Sequence, residues 1–188
     1  MTVAHAQALS SSASRSIPNS VSPALAEASH AAATGTDSGE RQLDPLLVAA
    51  RERAAREGLP YAGSVSPQEA WALASAGAAL IVDVRTAEEY KYVGHVPGSP
   101  LVQWQSGAAL LKNPRFAKEL AAKAGKDEPI LLLCRSGKRS AAAAEAATRA
   151  GFRKVFNIRE GFEGDISPDG QRGTQGGWRR YGLPWTQD

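Results

Sequence analysis

A single cysteine, three histidines and one methionine are all that this chain of 188 residues offers to redox or soft-metal chemistry. One cysteine forms no internal disulfide, no C-x-x-C redox pair and no cysteine-rich zinc site. Histidines scattered at His5, His30 and His95 make no metal site, so neither a metal nor an organic cofactor is expected. A membrane span needs about 17–25 mostly apolar residues in a row, and the sequence has no such run. Aromatic residues are few, 6% of the chain, and all lie at Tyr61 or beyond. The positive excess of +3 is small and gains meaning only once it is located.

The residues that are present divide unevenly. Residues 1–40 hold ten alanines and nine serines, with one basic residue against three acidic ones. Such a stretch cannot bury enough surface to offset its ordering entropy, so residues 1–42 are expected to be a disordered extension. A secretory signal would need a basic start and then an apolar stretch of roughly 7–15 residues. Met1–Ser14 has no lysine or arginine, and Pro18 and Pro23 interrupt the segment after it, so a cytoplasmic location is expected. At Asp44–Pro45 an N-cap is followed by a first-turn proline, and Gly58 closes the segment. That predicts a helix over 45–57, within an N-terminal helix and connector spanning 43–62, which packs on the main domain (63–188) or extends from it.

Strands and helices alternate from there on. Ser66-Pro67-Gln68-Glu69 is a capping box opening a helix to about residue 75. Ala79–Val84 is a short apolar run of buried-strand type, and Thr86-Ala87-Glu88-Glu89 is a second capping box starting a short helix. Gly94–Ser99 reads as turn, 101–104 as strand, 114–124 as helix, 130–133 as a second buried strand, 138–150 as helix and 154–158 as a third strand. Trp178, Tyr181 and Trp185 are candidate anchors of the Gly-rich C-terminal stretch. This alternation implies an α/β domain with parallel strands and helices on both faces. In such folds the functional crevice lies beyond the carboxyl ends of the strands, which singles out Asp83–Arg85 and Cys134.

Cys134-Arg135-Ser136-Gly137-Lys138-Arg139-Ser140 closes a buried strand and opens a helix. The first N–H groups of a helix lack intrahelical partners and the dipole there is positive, so the turn attracts an anion. Successive N–H groups curled round one point form a nest, and Arg135, Lys138 and Arg139 add three cations. Comparable surroundings lower a cysteine pKa from about 8.5 into the range of roughly 3.5–7.5. Nucleophilic attack by Cys134 is therefore expected, with the loop holding negative charge on sulfur or on an oxyanion. A lone cysteine ending a strand is more often a small buried hydrophobe. Three adjacent cations are poor company for an inert thiol, and they oppose the helix dipole unless an anion compensates them.

These motifs resemble the rhodanese family of single-domain sulfurtransferases, over about residues 63–188. The resemblance is carried by Ile81-Val82-Asp83-Val84-Arg85 with Glu89-Tyr90, by Gly94-His95-Val96-Pro97-Gly98-Ser99, by Leu133–Ser140, and by Gly177-Trp178 and Gly182-Leu183-Pro184-Trp185. It implies a rhodanese-like three-layer α/β domain, with a central parallel sheet between helices. It also implies a Cys134 thiolate that takes sulfane sulfur from a donor such as thiosulfate and passes it to cyanide, a thiol or a sulfur-accepting protein. By the same resemblance Arg135, Ser136, Gly137, Lys138, Arg139 and Ser140 form the anion-binding loop, with Lys138 and Arg139 as the main oxyanion contacts. Asp83, Arg85 and Glu89 would support it, Arg85 pairing with Glu89, while His95 orders its turn.

Two other classes remain. Cysteine-loop phosphatases and arsenate reductases place an arginine after five intervening residues, a position held here by Ser140, with Arg139 one place early. The shorter loop suits one sulfur atom better than a tetrahedral phosphate, and no acid is evident for a leaving group. A carrier or docking module that delivers persulfide sulfur to a partner uses the same residues and differs only in donor and acceptor. Nucleic-acid binding is not expected, because Arg135, Lys138 and Arg139 account for most of the domain's net positive charge. A second group, Arg172, Arg179 and Arg180, is expected to be solvated.

Overall fold

The computed structural model describes residues 43–187, so the extension expected over 1–42 lies outside the described residues. Helix α1 (Pro45–Glu57) begins where the Asp44 carboxylate accepts the Leu46 N–H at 2.8 Å and ends at Gly58 with φ 65°. Strand β1 (Gly63–Val65) leads into α2 (Pro67–Ser75) through the reciprocal Ser66–Glu69 capping box. Next come β2 (Leu80–Asp83), a π-helical turn (Glu89–Val93), the small hairpin β3 (Gln105–Ser106) and β4 (Leu111–Lys112), and α3 (Phe116–Ala121). The order then runs β5 (Ile130–Leu133), α4 (Lys138–Arg149) and β6 (Val155–Ile158).

The main sheet has the order β1-β6-β5-β2 with every pairing parallel. Its inner strands are buried on both faces, which is why they read as unbroken apolar runs. On one face Leu131, Leu133, Phe156 and Ile158 meet Leu47 and Ala50 of α1 and Leu73 of α2. On the other, Ile130, Leu132 and Val155 meet Phe116 and Leu120 of α3 and Ala143 and Ala147 of α4. The period-two alternation of β5 carries on to Cys134 and turns it toward the α4 face. Among the described residues no helix is long and apolar enough to cross a membrane.

Helix α1 is part of this packing. Leu47 and Ala50 are fully buried, and a Cβ at Gly63 would run into the Ala50 carbonyl oxygen. The three-residue β1 and the hairpin are not expected from the sequence, and α3 is shorter than the expected 114–124. The strand expected at 101–104 is corrected to one bridge, Leu101 beside Asp83. Val102 N–H still donates to the Asp83 carbonyl, but Arg85 N–H is diverted to the Asp83 carboxylate at 2.9 Å and Trp104 N–H turns to the Val84 carbonyl at 3.1 Å, so the regular ladder breaks off. Of the expected anchors, Trp178 is wholly buried and its indole N–H donates to the Pro184 carbonyl. Tyr181 and Trp185 are exposed, although the Tyr181 hydroxyl reaches Glu160 and the Trp185 ring meets Phe162 edge-on. His95 stacks on Tyr90 and bridges to Thr186, ordering its turn as expected.

Candidate active site

The sheet brings the ends of β5 and β2 side by side, with Asp83 in register with Leu133. Cys134 lies one residue beyond, at the floor of the loop into α4. Its Sγ accepts the Gly137 N–H at 3.1 Å and lies 3.1 Å from the Ser140 hydroxyl. Gly137 holds φ 85°, a left-handed conformation that a side chain would strain. The loop's carbonyls are drawn away from the sulfur: Cys134 accepts from Phe162 N–H at 2.8 Å and Arg135 from Glu163 N–H at 2.9 Å. A Cβ at Gly161 would overlap the Cys134 carbonyl oxygen, so this crossing requires glycine. Lys138, Arg139 and Ser140 are the first residues of α4, whose N–H groups have no intrahelical acceptor.

Above the sulfur the rim is cationic. Arg135 and Lys138 are exposed, Ser136 and Arg139 half-buried, and Gly137 and Ser140 buried. Two open clefts, of about 380 and 480 Å³, share Arg135, Arg139 and the hairpin residue Leu110 as walls. Lys138 and Arg172 border the larger one, so Arg172 adds a cation to the rim rather than to a separate patch. Arg179 instead lies over the Trp185 ring. Cys134 itself is 1% exposed and lines neither cleft. The reachable sulfur expected from sequence is thus a covered one, packed with the core on the α4 face and touched by two buried polar groups, the Gly137 N–H and the Ser140 hydroxyl.

The supporting residues pair differently from expectation. Arg85 does not bind Glu89. Its Nη2 donates to Asp83 Oδ2 at 2.6 Å and to the Gly94 carbonyl at 2.6 Å, its Nε reaches both Asp83 oxygens, and its guanidinium lies 4.3 Å from the Phe162 ring centre. Only Val84 separates Asp83 from Arg85, which makes this closure local and keeps Arg85 from the rim. Glu89 instead takes both Arg139 nitrogens, at 2.6 and 2.7 Å, while keeping its capping bond from Thr86 N–H. Burial pushes the Glu89 carboxyl up, but the Arg139 hydrogen bonds, the Thr86 N–H and the charges of Arg139 and Arg85 outweigh it and hold it below its ordinary value. Arg139, also partly desolvated, is held above its ordinary value by Glu89. Arg139 is therefore a braced rim group, whereas among the described residues Arg135 and Lys138 form no ion pair.

Three contributors are not expected from the sequence. Asn157 of β6 accepts the Ser140 hydroxyl at 2.7 Å, the turn at 161–163 holds the loop carbonyls, and the hairpin supplies Leu110. A polar residue inside the apolar strand Val155–Ile158 is the available signal for the first.

An α/β sheet that presents one cysteine on an amide-lined loop between a central strand and the next helix defines a cysteine-loop protein. Residues 66–166 match the Rhodanese-like domain family, and the chain belongs to it. The uncharacterized protein RP600 of Rickettsia prowazekii (strain Madrid E) is 36% identical over 111 residues, 57% of this chain and 82% of that protein. The thiosulfate sulfurtransferase GlpE of Pseudomonas entomophila (strain L48) is 33% identical over 99 residues, 53% of this chain and 80% of the relative. Among solved structures, Rv0390 from M. tuberculosis aligns with a TM-score of 0.62 and 38% identity, over 68% of this chain and 99% of its own.

Proposed function

We propose that the protein is a sulfurtransferase working through a Cys134 persulfide. The observation that carries this reading is the setting of the sulfur, held against an amide and a hydroxyl at 3.1 Å beneath a cationic rim. In the first half-reaction the Cys134 thiolate attacks the outer sulfur of a donor such as thiosulfate. A bond forms between Sγ and that sulfur, the donor's S–S bond breaks, and its electron pair leaves with sulfite. In the second, an acceptor thiolate or cyanide attacks the outer sulfur, and Cys134 departs as thiolate.

Arg135 and Lys138 hold the donor's oxygens, while the Gly137 N–H and the loop's free amides stabilise negative sulfur. Because the sulfur is covered, a donor reaches it only if the loop opens. With no second cysteine in the chain, the persulfide is released only to an external acceptor: cyanide, a thiol or a sulfur-accepting protein. A cytoplasmic, reducing compartment belongs to this reading. Delivery to a partner protein is the same chemistry with a larger acceptor.

Intact-mass spectrometry after thiosulfate should show one added sulfur, about 32 Da, removed by cyanide and absent in Cys134→Ser. Phosphate-ester turnover exceeding thiosulfate:cyanide transfer would replace this reading with a phosphatase.

A further inference from the structure

Asn157 is the one polar residue of β6, 6% exposed in a strand otherwise made of Val155, Phe156 and Ile158. Its strand position, opposite Leu132, turns it to the face covered by α4. There it meets Ser140, which is wholly buried. The Ser140 hydroxyl lies 2.7 Å from Asn157 Oδ1, 3.1 Å from the Gly137 carbonyl oxygen and 3.1 Å from Cys134 Sγ. A hydroxyl has one hydrogen to give and two lone pairs to receive with. Which neighbour takes that hydrogen is decided by what the others present.

With Oδ1 facing Ser140, the hydrogen goes to Asn157 and the hydroxyl offers the sulfur a lone pair, which suits a neutral S–H. With the amide turned, Nδ2 donates to the Ser140 oxygen and the hydroxyl hydrogen points at Sγ, which suits a negative sulfur. The two ends of an amide are nearly alike in shape, so the turn needs little room. We propose that Asn157 is a positioning residue that sets the direction of the Ser140 hydroxyl and turns it onto Cys134 when the sulfur is charged. The proposal rests on the reading that Cys134 is the reacting nucleophile. Asn157 acts only through Ser140.

Because the chain has one cysteine, thiolate ultraviolet absorbance with the Cys134→Ser spectrum subtracted reports on this sulfur alone. The test compares the full-length protein with Asn157→Ala, Ser140→Ala and the double variant, by that absorbance and by the rate of iodoacetamide alkylation at neutral pH. Each single variant should lower the thiolate signal and slow alkylation roughly three- to tenfold, the range one hydrogen bond carries. The double variant should be no slower than Ser140→Ala. In thiosulfate turnover Asn157→Ala should reduce kcat and leave donor KM unchanged. Arg139, whose charge interacts with both Cys134 and Asp83, is retained throughout.

If Asn157→Ala does not fold, Asn157→Asp keeps the shape but only accepts. It should slow alkylation more, and Ser140→Ala added to it should restore part of the rate. The proposal is overturned if folded Asn157→Ala alkylates like the parent, if the single effects add in full, or if Ser140→Ala leaves Asn157→Asp unrelieved. Alkylation needs no sulfur donor. A protein that passes these tests yet gains no sulfur from any donor therefore overturns the sulfur-transfer reading and leaves the positioning role standing.

Discussion

Two carboxylate–arginine pairs meet near the end of β2, alike in chemistry and opposite in setting. Asp83–Arg85 is closed to solvent on both sides, beside a backbone carbonyl and the Phe162 ring, with Arg85 Nη1 buried and without a hydrogen-bond partner. Glu89–Arg139 stands at the rim, its side chains 18% and 15% exposed, both facing the smaller cleft and Arg139 the larger one as well. The first spans two residues and shapes the floor of the site. The second joins positions fifty apart and braces the wall of the smaller cleft. Burial separates them: the first pair is closed to any ligand, and the second borders open solvent.

The floor should break hardest. Asp83→Ala leaves the Arg85 charge buried and unpaired, which costs about 3–5 kcal/mol. Urea unfolding should read that loss, and the double variant Asp83→Ala with Arg85→Met should recover much of it. At the rim, Glu89→Gln retains an acceptor for the Thr86 N–H but removes the charge opposite Arg139. A smaller loss, about 1–2 kcal/mol, is expected because water still reaches this pair. Thiosulfate KM should change as well, because Arg139 is freed, and an unchanged KM would show that Arg139 does not shape donor entry.

Acid sharpens the contrast further. The folded Glu89 carboxyl lies below its ordinary 4.5, so its contribution is complete above that value and is lost as pH falls through the lower folded one. Melting curves across that interval should fall more gently in Glu89→Gln than in the parent. The smallest effect on stability belongs to the exposed cations: Arg135→Ala and Lys138→Ala should stay within about 0.5 kcal/mol of the parent. Their effect should appear as weaker donor use, measured as a raised thiosulfate KM. A large stability change in either would place that residue in the floor instead.

Local chemistry is legible in the sequence, and distant chemistry is not. Asp44, the Ser66–Glu69 box and the Thr86–Glu89 box each close within three residues, and the structure contains all three. The buried strands announce themselves by composition, and the cysteine turn by its place between strand and helix. The expected partner of Glu89 is wrong because Arg85 is merely near in sequence, whereas Arg139 arrives only through the pairing of β2 with β5. Strand β1 escapes notice because its three residues carry too little pattern, and its place comes from β6, more than ninety residues on. Asn157 escapes because periodicity counts an interior amide as noise, although a polar group in a buried strand needs a partner.

The crossing at Gly161, where Phe162 and Glu163 tether the loop's carbonyls, also bears on synthesis. A nascent chain that ends before this point already carries Cys134, yet lacks the segment that faces the loop's amides inward. The loop that carries Cys134 therefore takes its shape only once the segment at 161–163 has been made and folded against it.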